Sequence, residues 1–335
     1  MSPSTHTTAR EGSSSRVGRR RTAAALLAAA LLVVPMPFVA GPAAAAPTCD
    51  LDGAGTEVSP FRVEDAEDLK QVGVDCGLDK HYLQTKSFTL TGTHTPIGDF
   101  RDKFMGVYDG GGNTITGLTV VEVRVDHVGL FGFADGAELR DLTLADVDVL
   151  GGESVGALVG YLNDGRVENV HVSGDVTGDK HVGGLIGRAV EGTKVERSSA
   201  SVDVTATDSD AGGLIGYSEA TITESYATGD VDRDGTGKYS YGGLVGSQDG
   251  QPDYGSINRS YATGSVRGAT YVGGLVGYSQ GADLKDVYAH GDVTATATTG
   301  PIYAGGLVGH LFGARSFVPT RSVWSRPAAR TTSTA

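Results

Sequence analysis

Basic residues, cysteine and long apolar runs are all scarce in this sequence, and each scarcity removes a class of function. Lys and Arg number 27 against 40 Asp and Glu, a formal net charge of −13. Without residues 1–46 the balance is 22 against 39, or −17. A surface this acidic repels nucleic acid and anionic membranes, so neither is expected as a partner. The two cysteines, Cys49 and Cys76, allow one disulfide and no larger framework. No second apolar span follows the first 46 residues, so no transmembrane anchor is expected, and no cell-wall sorting signal follows either. Ala46, Pro47 and Thr48 before Cys49 do not form a lipobox. None of the eight histidines stands in an H-E-x-x-H arrangement, which removes the helical zinc-peptidase site.

The N-terminus carries Arg16, Arg19, Arg20 and Arg21, then an apolar run from Thr22 to about Ala40, then small residues at 42–46. That order reads as a secretory signal peptide over 1–46, cut near Ala45 or Ala46. Pro35 and Pro37 interrupt the alanine-rich run, which favours cleavage over a retained anchor. Ordinary secretion is the expected route, although the arginines also invite a twin-arginine reading. Export places Cys49 and Cys76 in an oxidising compartment, where a bridge contributes about 3 kcal/mol in the chain-entropy view.

An internal repeat decides the architecture. A glycine-flanked block recurs seven times, at 129–132 (GLFG), 156–160 (GALVG), 183–187 and 212–216 (GGLIG), and 242–246, 273–277 and 305–309 (GGLVG). Its closing glycines are spaced by 28, 27, 29, 30, 31 and 32 residues. A second block follows at 225–231 (SYATGDV), 260–266 (SYATGSV) and 287–293 (VYAHGDV), with degenerate copies at 170–176 and 198–204. Each unit thus offers short β-prone runs separated by Gly, Asp, Ser and Thr, too short and glycine-rich for helices. Units that cannot bury an apolar face alone must stack as coils. A propeller is excluded because its blades need about 40–50 residues.

Aligned on the closing glycine, one position is Leu130, Leu158, Leu185, Leu214, Leu244, Leu275 and Leu307, and the next is Phe131, Val159, Ile186, Ile215, Val245, Val276 and Val308. The leucines are expected inside as a ladder with rungs about 4.8 Å apart. Adjacent columns face the same interior only if the strand bends, and the glycines are expected to supply that bend through a positive φ.

The two blocks, with Pro60-Phe61-Arg62-Val63, residues 64–69 (EDAEDL), Thr95-Pro96-Ile97-Gly98 and residues 108–118 (YDGGGNTITGL), resemble the GLUG-motif repeat proteins over about 60–313. The resemblance implies a right-handed parallel β-helix in bacterial surface and secreted proteins, some of which carry adhesin or immunoglobulin-cleaving metallopeptidase modules elsewhere. The expected organisation is a signal peptide at 1–46, an N-terminal cap with first coils at 47–118, the repeat solenoid at 119–313 and an irregular tail at 314–335. Residues 64–72 are expected to form a short helix with Ala66, Leu69 and Val72 on its apolar face, capping the open end with the Cys49–Cys76 bridge. No SYATG block follows Gly309. Residues 322–324 are read as a remnant strand, and edge-to-edge self-association is expected at that end.

Four groups carry chemical candidates. The G-x-S-x-G pattern at 152–156 and 277–281 needs a strand-to-helix turn that the repeat lacks, so chance is the expected reading. His127 and His181 fall in one column with Ser154 between, too far apart to share a metal, and are read as solvated surface residues. Asp146, Asp175, Asp203, Asp230, Ser265 and Asp292 form an expected acidic ladder. It is read first as turn-forming Asp bonded to local backbone, and second, at Asp175, Asp203 and Asp230, as a Ca2+ site. Tyr226, Tyr261 and Tyr288, after His171 and Ser199, form an aromatic column that either braces the ladder or, if exposed, binds a sugar or protein. No catalytic constellation is assigned. The expected function is a secreted, non-catalytic structural or adhesion-like binding module at the cell surface or extracellular matrix, with a glycan or protein partner. The alternative is a carbohydrate-active β-helix enzyme using the aspartate ladder.

Overall fold

The computed structural model describes residues 48–123, 125–234, 239–250, 255–297, 300–313 and 317–318. The expected signal peptide and the strand expected at 322–324 lie outside the described residues.

The chain is a parallel β-solenoid: among the described residues its strands join into one 23-stranded sheet and one seven-stranded sheet, and successive coils pair in parallel, with a local register shift in two of the pairings of Arg166–Gly183. The stack begins before the repeats, since Phe61–Val63 pairs with His81–Gln84, which pairs with Val107–Thr116. It also extends past 313, because Phe317–Val318 pairs with Asp283–Lys285, so the segment assigned to the tail holds one further pairing. The one α-helix among the described residues, Ala66–Gln71, is shorter than expected. Asp65 sets its start by accepting from the N–H groups of Glu67 and Asp68, and Val72 turns extended at its end. Leu69 and Val72 are buried. Cys49 and Cys76 are bonded, with Cα atoms 4.6 Å apart, and tie the segment before the helix to the one after it.

The glycine blocks do make the bend, though not by the conformation expected. None of Gly183, Gly212, Gly242 and Gly273 has a positive φ; instead a Cβ there would lie 1.9–2.1 Å from the carbonyl oxygen three residues on. The strand turns from one sheet to the other so tightly that only hydrogen fits. The leucine and its neighbour then both point inward across the corner. Leu130, Leu158, Leu185, Leu214, Leu244 and Leu275 are fully buried, as are Phe131, Val159, Ile186, Ile215, Val245 and Val276.

The two blocks of the repeat meet across the interior. A Cβ on Gly184, Gly213 or Gly243 would fall 3.0, 2.8 or 2.9 Å from the Cβ of Ala200, Ala227 or Ala262, the alanines of the second block. The coil is therefore thinnest where glycine faces alanine. The serines that open the second block act as buried pegs. Ser225 donates to the carbonyl of Thr223 in its own coil and accepts from the N–H of Ser198 in the coil before; Ser198 and Ser260 do the same on theirs. Beside them runs the column that does take a positive φ: Asp141, Asn169, Arg197, Glu224, Arg259 and Asp286, none of them glycine. The pegs satisfy the backbone that these left-handed corners would otherwise leave unpaired.

Leu214→Ala removes side-chain volume from the middle of the ladder and is expected to destabilise the fold by about 2–5 kcal/mol. Leu307→Ala, on a half-buried rung, is expected to cost less than half as much. Thermal melting followed by circular dichroism checks the order; equal losses would mean that the ladder is not one shared core.

Candidate functional site

In the second block the side chains alternate, serine inward, tyrosine outward, alanine inward. Tyr226, Tyr261 and Tyr288 pair in direct register on the outer wall of the long sheet. Their rings stack at 4.9 Å and 1°, then at 4.8 Å and 5°. Tyr226 and Tyr261 are half-buried and Tyr288 is exposed. Above them His171 Nδ1 lies 2.8 Å from Ser199 Oγ, and Ser199 pairs with Tyr226. Because the rings stack along the solenoid axis, they cover one another's faces. The wall offers ring edges and a row of hydroxyls, one per rung.

The aspartate column differs from its expected membership in one rung. A register shift between Val172 and Gly174 pairs Asp175 with Asp148, while Asp146 is exposed at φ 53°. Asp175 pairs with Asp203. Asp203 Oδ1 accepts from the N–H of Asp230 at 2.9 Å, and Asp230 Oδ1 accepts from the N–H of Ser265 at 2.7 Å. Asp175, Asp203 and Asp230 are exposed. Among the described residues no group of three or more His, Cys, Asp or Glu is arranged to hold a metal ion.

A second aromatic row, on the outer face of the seven-stranded sheet, was not anticipated. Phe133, Tyr161, Arg188, Tyr217, Ser247, Tyr278 and His310 follow one another in register. Each is the residue directly after a closing glycine, so the signal stood one column beyond the aligned block. Phe133 and Tyr161 stack at 4.5 Å and 14°, and Tyr278 and His310 at 5.5 Å and 6°. The Arg188 guanidinium lies 5.5 Å from the Tyr161 ring and 4.8 Å from the Tyr217 ring. Two residues further along each strand runs a polar column: the Tyr217 hydroxyl donates to Glu219 Oε1 at 3.0 Å, and the Tyr278 hydroxyl to Gln280 Oε1 at 3.1 Å.

The histidines are not solvated surface residues. His127 packs edge-on against Phe133 and Tyr161, at 5.3 and 5.2 Å. The His181 side chain is only 12% exposed, with Nδ1 3.4 Å from Glu153 Oε1 and Nε2 3.5 Å from Asp210 Oδ2. The positive φ of His127, Ser154, His181 and Asp210 turns the chain there, which sequence spacing does not reveal. Burial pushes the Asp210 carboxyl up to about 6 against hydrogen bonds from Ser240. Burial, with Arg188, Lys180 and His127 nearby, pushes the His181 imidazole down to about 4. Between those values both groups are neutral. The two G-x-S-x-G serines, Ser154 and Ser279, are buried within strands.

Stacked coils of roughly thirty residues, with ladders inside and ring columns outside, define a parallel β-solenoid repeat protein. It is a GLUG-repeat protein: the family model described as the GLUG motif matches residues 151–177, 178–205, 207–232 and 268–294. The chain is similar to halomucin of Haloquadratum walsbyi, 33% identical over 267 residues, covering 74% of this chain and 3% of halomucin. It is also similar to the immunoglobulin A1 protease of Streptococcus sanguinis, 30% identical over 196 residues, covering 54% of this chain and 10% of the protease. The chain thus spans a small fraction of these relatives. Among solved structures, a putative immunoglobulin A1 protease from Bacteroides ovatus shares the fold with a TM-score of 0.59 at 18% identity, over 78% of this chain and 85% of that one. Among the described residues no helix is long and apolar enough to cross a membrane.

The Asp210–His181 pair gives opposed pH effects. Asp210 holds its proton to higher pH folded than unfolded, so its contribution to stability falls as pH rises from about 4 to about 6. His181 binds its proton less readily folded, so its contribution falls as pH drops from 6.5 to about 4. In the parent chain the two nearly cancel. Relative to the parent, Asp210→Asn should gain about 2–3 kcal/mol of stability between pH 4 and 6.5, and His181→Gln should lose a similar amount. Denaturant unfolding across that range checks the opposite signs; slopes of one sign in both variants would refute the opposed shifts.

Proposed function

We propose that this chain is a non-catalytic binding module of a secreted or cell-surface GLUG solenoid, engaging an extracellular glycan or protein through its outer walls. The observation that carries this reading is the outward tyrosine stack, Tyr226, Tyr261 and Tyr288, on a wall that needs no aromatic side chain to complete the core. With their faces covered, these rings suit a partner that reads a periodic line of hydroxyls and apolar edges. Two features support an exported setting: the signal-peptide pattern at 1–46 and the cystine close behind it. The relatives named for immunoglobulin A1 cleavage do not extend that chemistry to this chain, whose histidines lack the zinc-peptidase arrangement.

Capture of extracellular polysaccharides and surface proteins on the immobilised chain is expected to show at least one partner whose binding falls about tenfold or more in Tyr261→Ala. Retention by the variant equal to the parent would remove the tyrosine wall from the reading. Turnover of an acidic glycan that vanishes in Asp203→Ala would replace the proposal with an enzyme.

The aspartate column carries a separate expectation. Since Asp203 and Asp230 each direct an oxygen to backbone of the next coil, millimolar Ca2+ is expected to leave the melting temperature within about 1 °C. A rise of several degrees that disappears in Asp203→Asn would instead assign Asp175, Asp203 and Asp230 to calcium.

A further inference from the structure

The aromatic row on the seven-stranded sheet alternates between filled and unfilled places. Tyr161 and Tyr217 stand two coils apart, about 10 Å at the spacing of β-sheet strands. The place between them holds the protein's own Arg188, whose guanidinium lies 5.5 Å from one ring and 4.8 Å from the other. Tyr217 and Tyr278 stand two coils apart in the same column, and the residue between them is Ser247. Arg188 covers the face of Tyr217 toward the preceding coil, and His310 covers the face of Tyr278 toward the following one, stacked at 6°. Tyr271 packs tilted against Tyr278 at 5.5 Å, and between the Tyr217 and Tyr278 rungs stands only the short side chain of Ser247. The slot repeats the Tyr161–Tyr217 slot without its cation.

Its rim is anionic. Glu219 accepts the hydroxyl of Tyr217, and Asp249 lies two residues beyond Ser247 on the same side of the strand. Asp249 Oδ1 is buried and has no hydrogen-bond partner among the described residues. Burial and the charge of Glu219 raise the Asp249 carboxyl above its ordinary value, and its charge also bears on Tyr217 and Tyr278. A partly desolvated carboxylate that keeps a backbone hydrogen bond from Gly250 but leaves Oδ1 unbonded, beside two tyrosine rings, favours a cation with a flat face and several N–H donors. Guanidinium meets both demands, whereas ammonium has no face to stack.

We propose that the slot formed by Tyr217, Ser247 and Tyr278, with Asp249 and Glu219 at its rim, binds an arginine side chain presented by a partner polypeptide. The guanidinium lies between the two rings, as Arg188 does one slot earlier, and donates to the Asp249 carboxylate. This site is on the opposite sheet from the Tyr226–Tyr261–Tyr288 stack and stands or falls independently of it.

The test is a tyrosine-labelled NMR titration of the whole chain with a capped, arginine-containing pentapeptide flanked by glycine and serine. The lysine pentapeptide and methyl β-glucoside run in parallel. The arginine peptide is expected to shift the Tyr217 and Tyr278 signals saturably, and the lysine peptide severalfold more weakly. Asp249→Asn is expected to weaken binding at least fivefold. Ser247→Arg fills the slot from within and is expected to abolish the shifts without lowering the melting temperature. Should that variant fail to fold, Ser247→Tyr closes the slot with a ring and gives the same reading. Tyr261→Ala is expected to leave the titration unchanged. No shift with the arginine peptide, equal response to lysine, response to the glucoside alone, or undiminished binding in the slot-filling variant overturns the proposal.

Discussion

Rung-on-rung hydrogen bonding is the constraint from which everything else in this molecule follows. Parallel pairing in register fixes the step between coils at about 4.8 Å and sets each position of one unit over its counterpart in the next. A residue type then succeeds or fails as a column rather than as an individual. Leucine over leucine builds the interior, serine over serine hands a hydroxyl to the neighbouring backbone, and tyrosine over tyrosine stacks. The same step makes aspartate over aspartate tolerable, because each carboxylate can turn to an N–H of the next rung rather than face its equal.

That constraint also explains why the two recurring blocks are tied together. They lie on opposite walls at the narrowest part of the coil, where Gly213 meets Ala227 and Gly243 meets Ala262. A larger side chain on either wall would push the sheets apart for every coil above and below it. The glycine content is therefore mainly a statement about thickness. In the left-handed column beside the serine pegs, Asn169 donates to Asp141, Arg197 pairs with Glu168, and Arg259 pairs with Glu224.

Much of this was legible in the residues themselves. The repeat, its stacking, the leucine ladder, the helical cap and the cystine all rest on period, apolar patterning and a count of two cysteines, and these are local enough to be read off a string. The tyrosine column was visible because its block recurs, whereas the direction of its rings had to come from the fold. The row from Phe133 to His310 escaped notice because its members differ chemically; phenylalanine, arginine, serine and histidine do not look like one column until register aligns them. The burial of His181 escaped for another reason. Its partners, Glu153 and Asp210, come from the coils on either side, and the left-handed turn that brings all three together leaves no mark at glycine positions. The displacement of Asp146 by Asp148 came from one extra residue between Leu144 and Val147, where Asp146 itself turns at φ 53°, an irregularity that spacing alone cannot place.

The closing glycines drift apart along the chain, from 27 residues to 32, while the strands that lead into the glycine corners stay in register. The surplus residues must therefore leave the coil at its turns, outside the packed cross-section. A scaffold of this kind separates two properties that most folds bind together. Its cross-section is inherited rung by rung, whereas its turns accept new segments without renegotiating the interior. Reach grows by duplicating a coil, and novelty is added at the periphery, so descendants can lengthen or diversify while standing on an unchanged column of leucines.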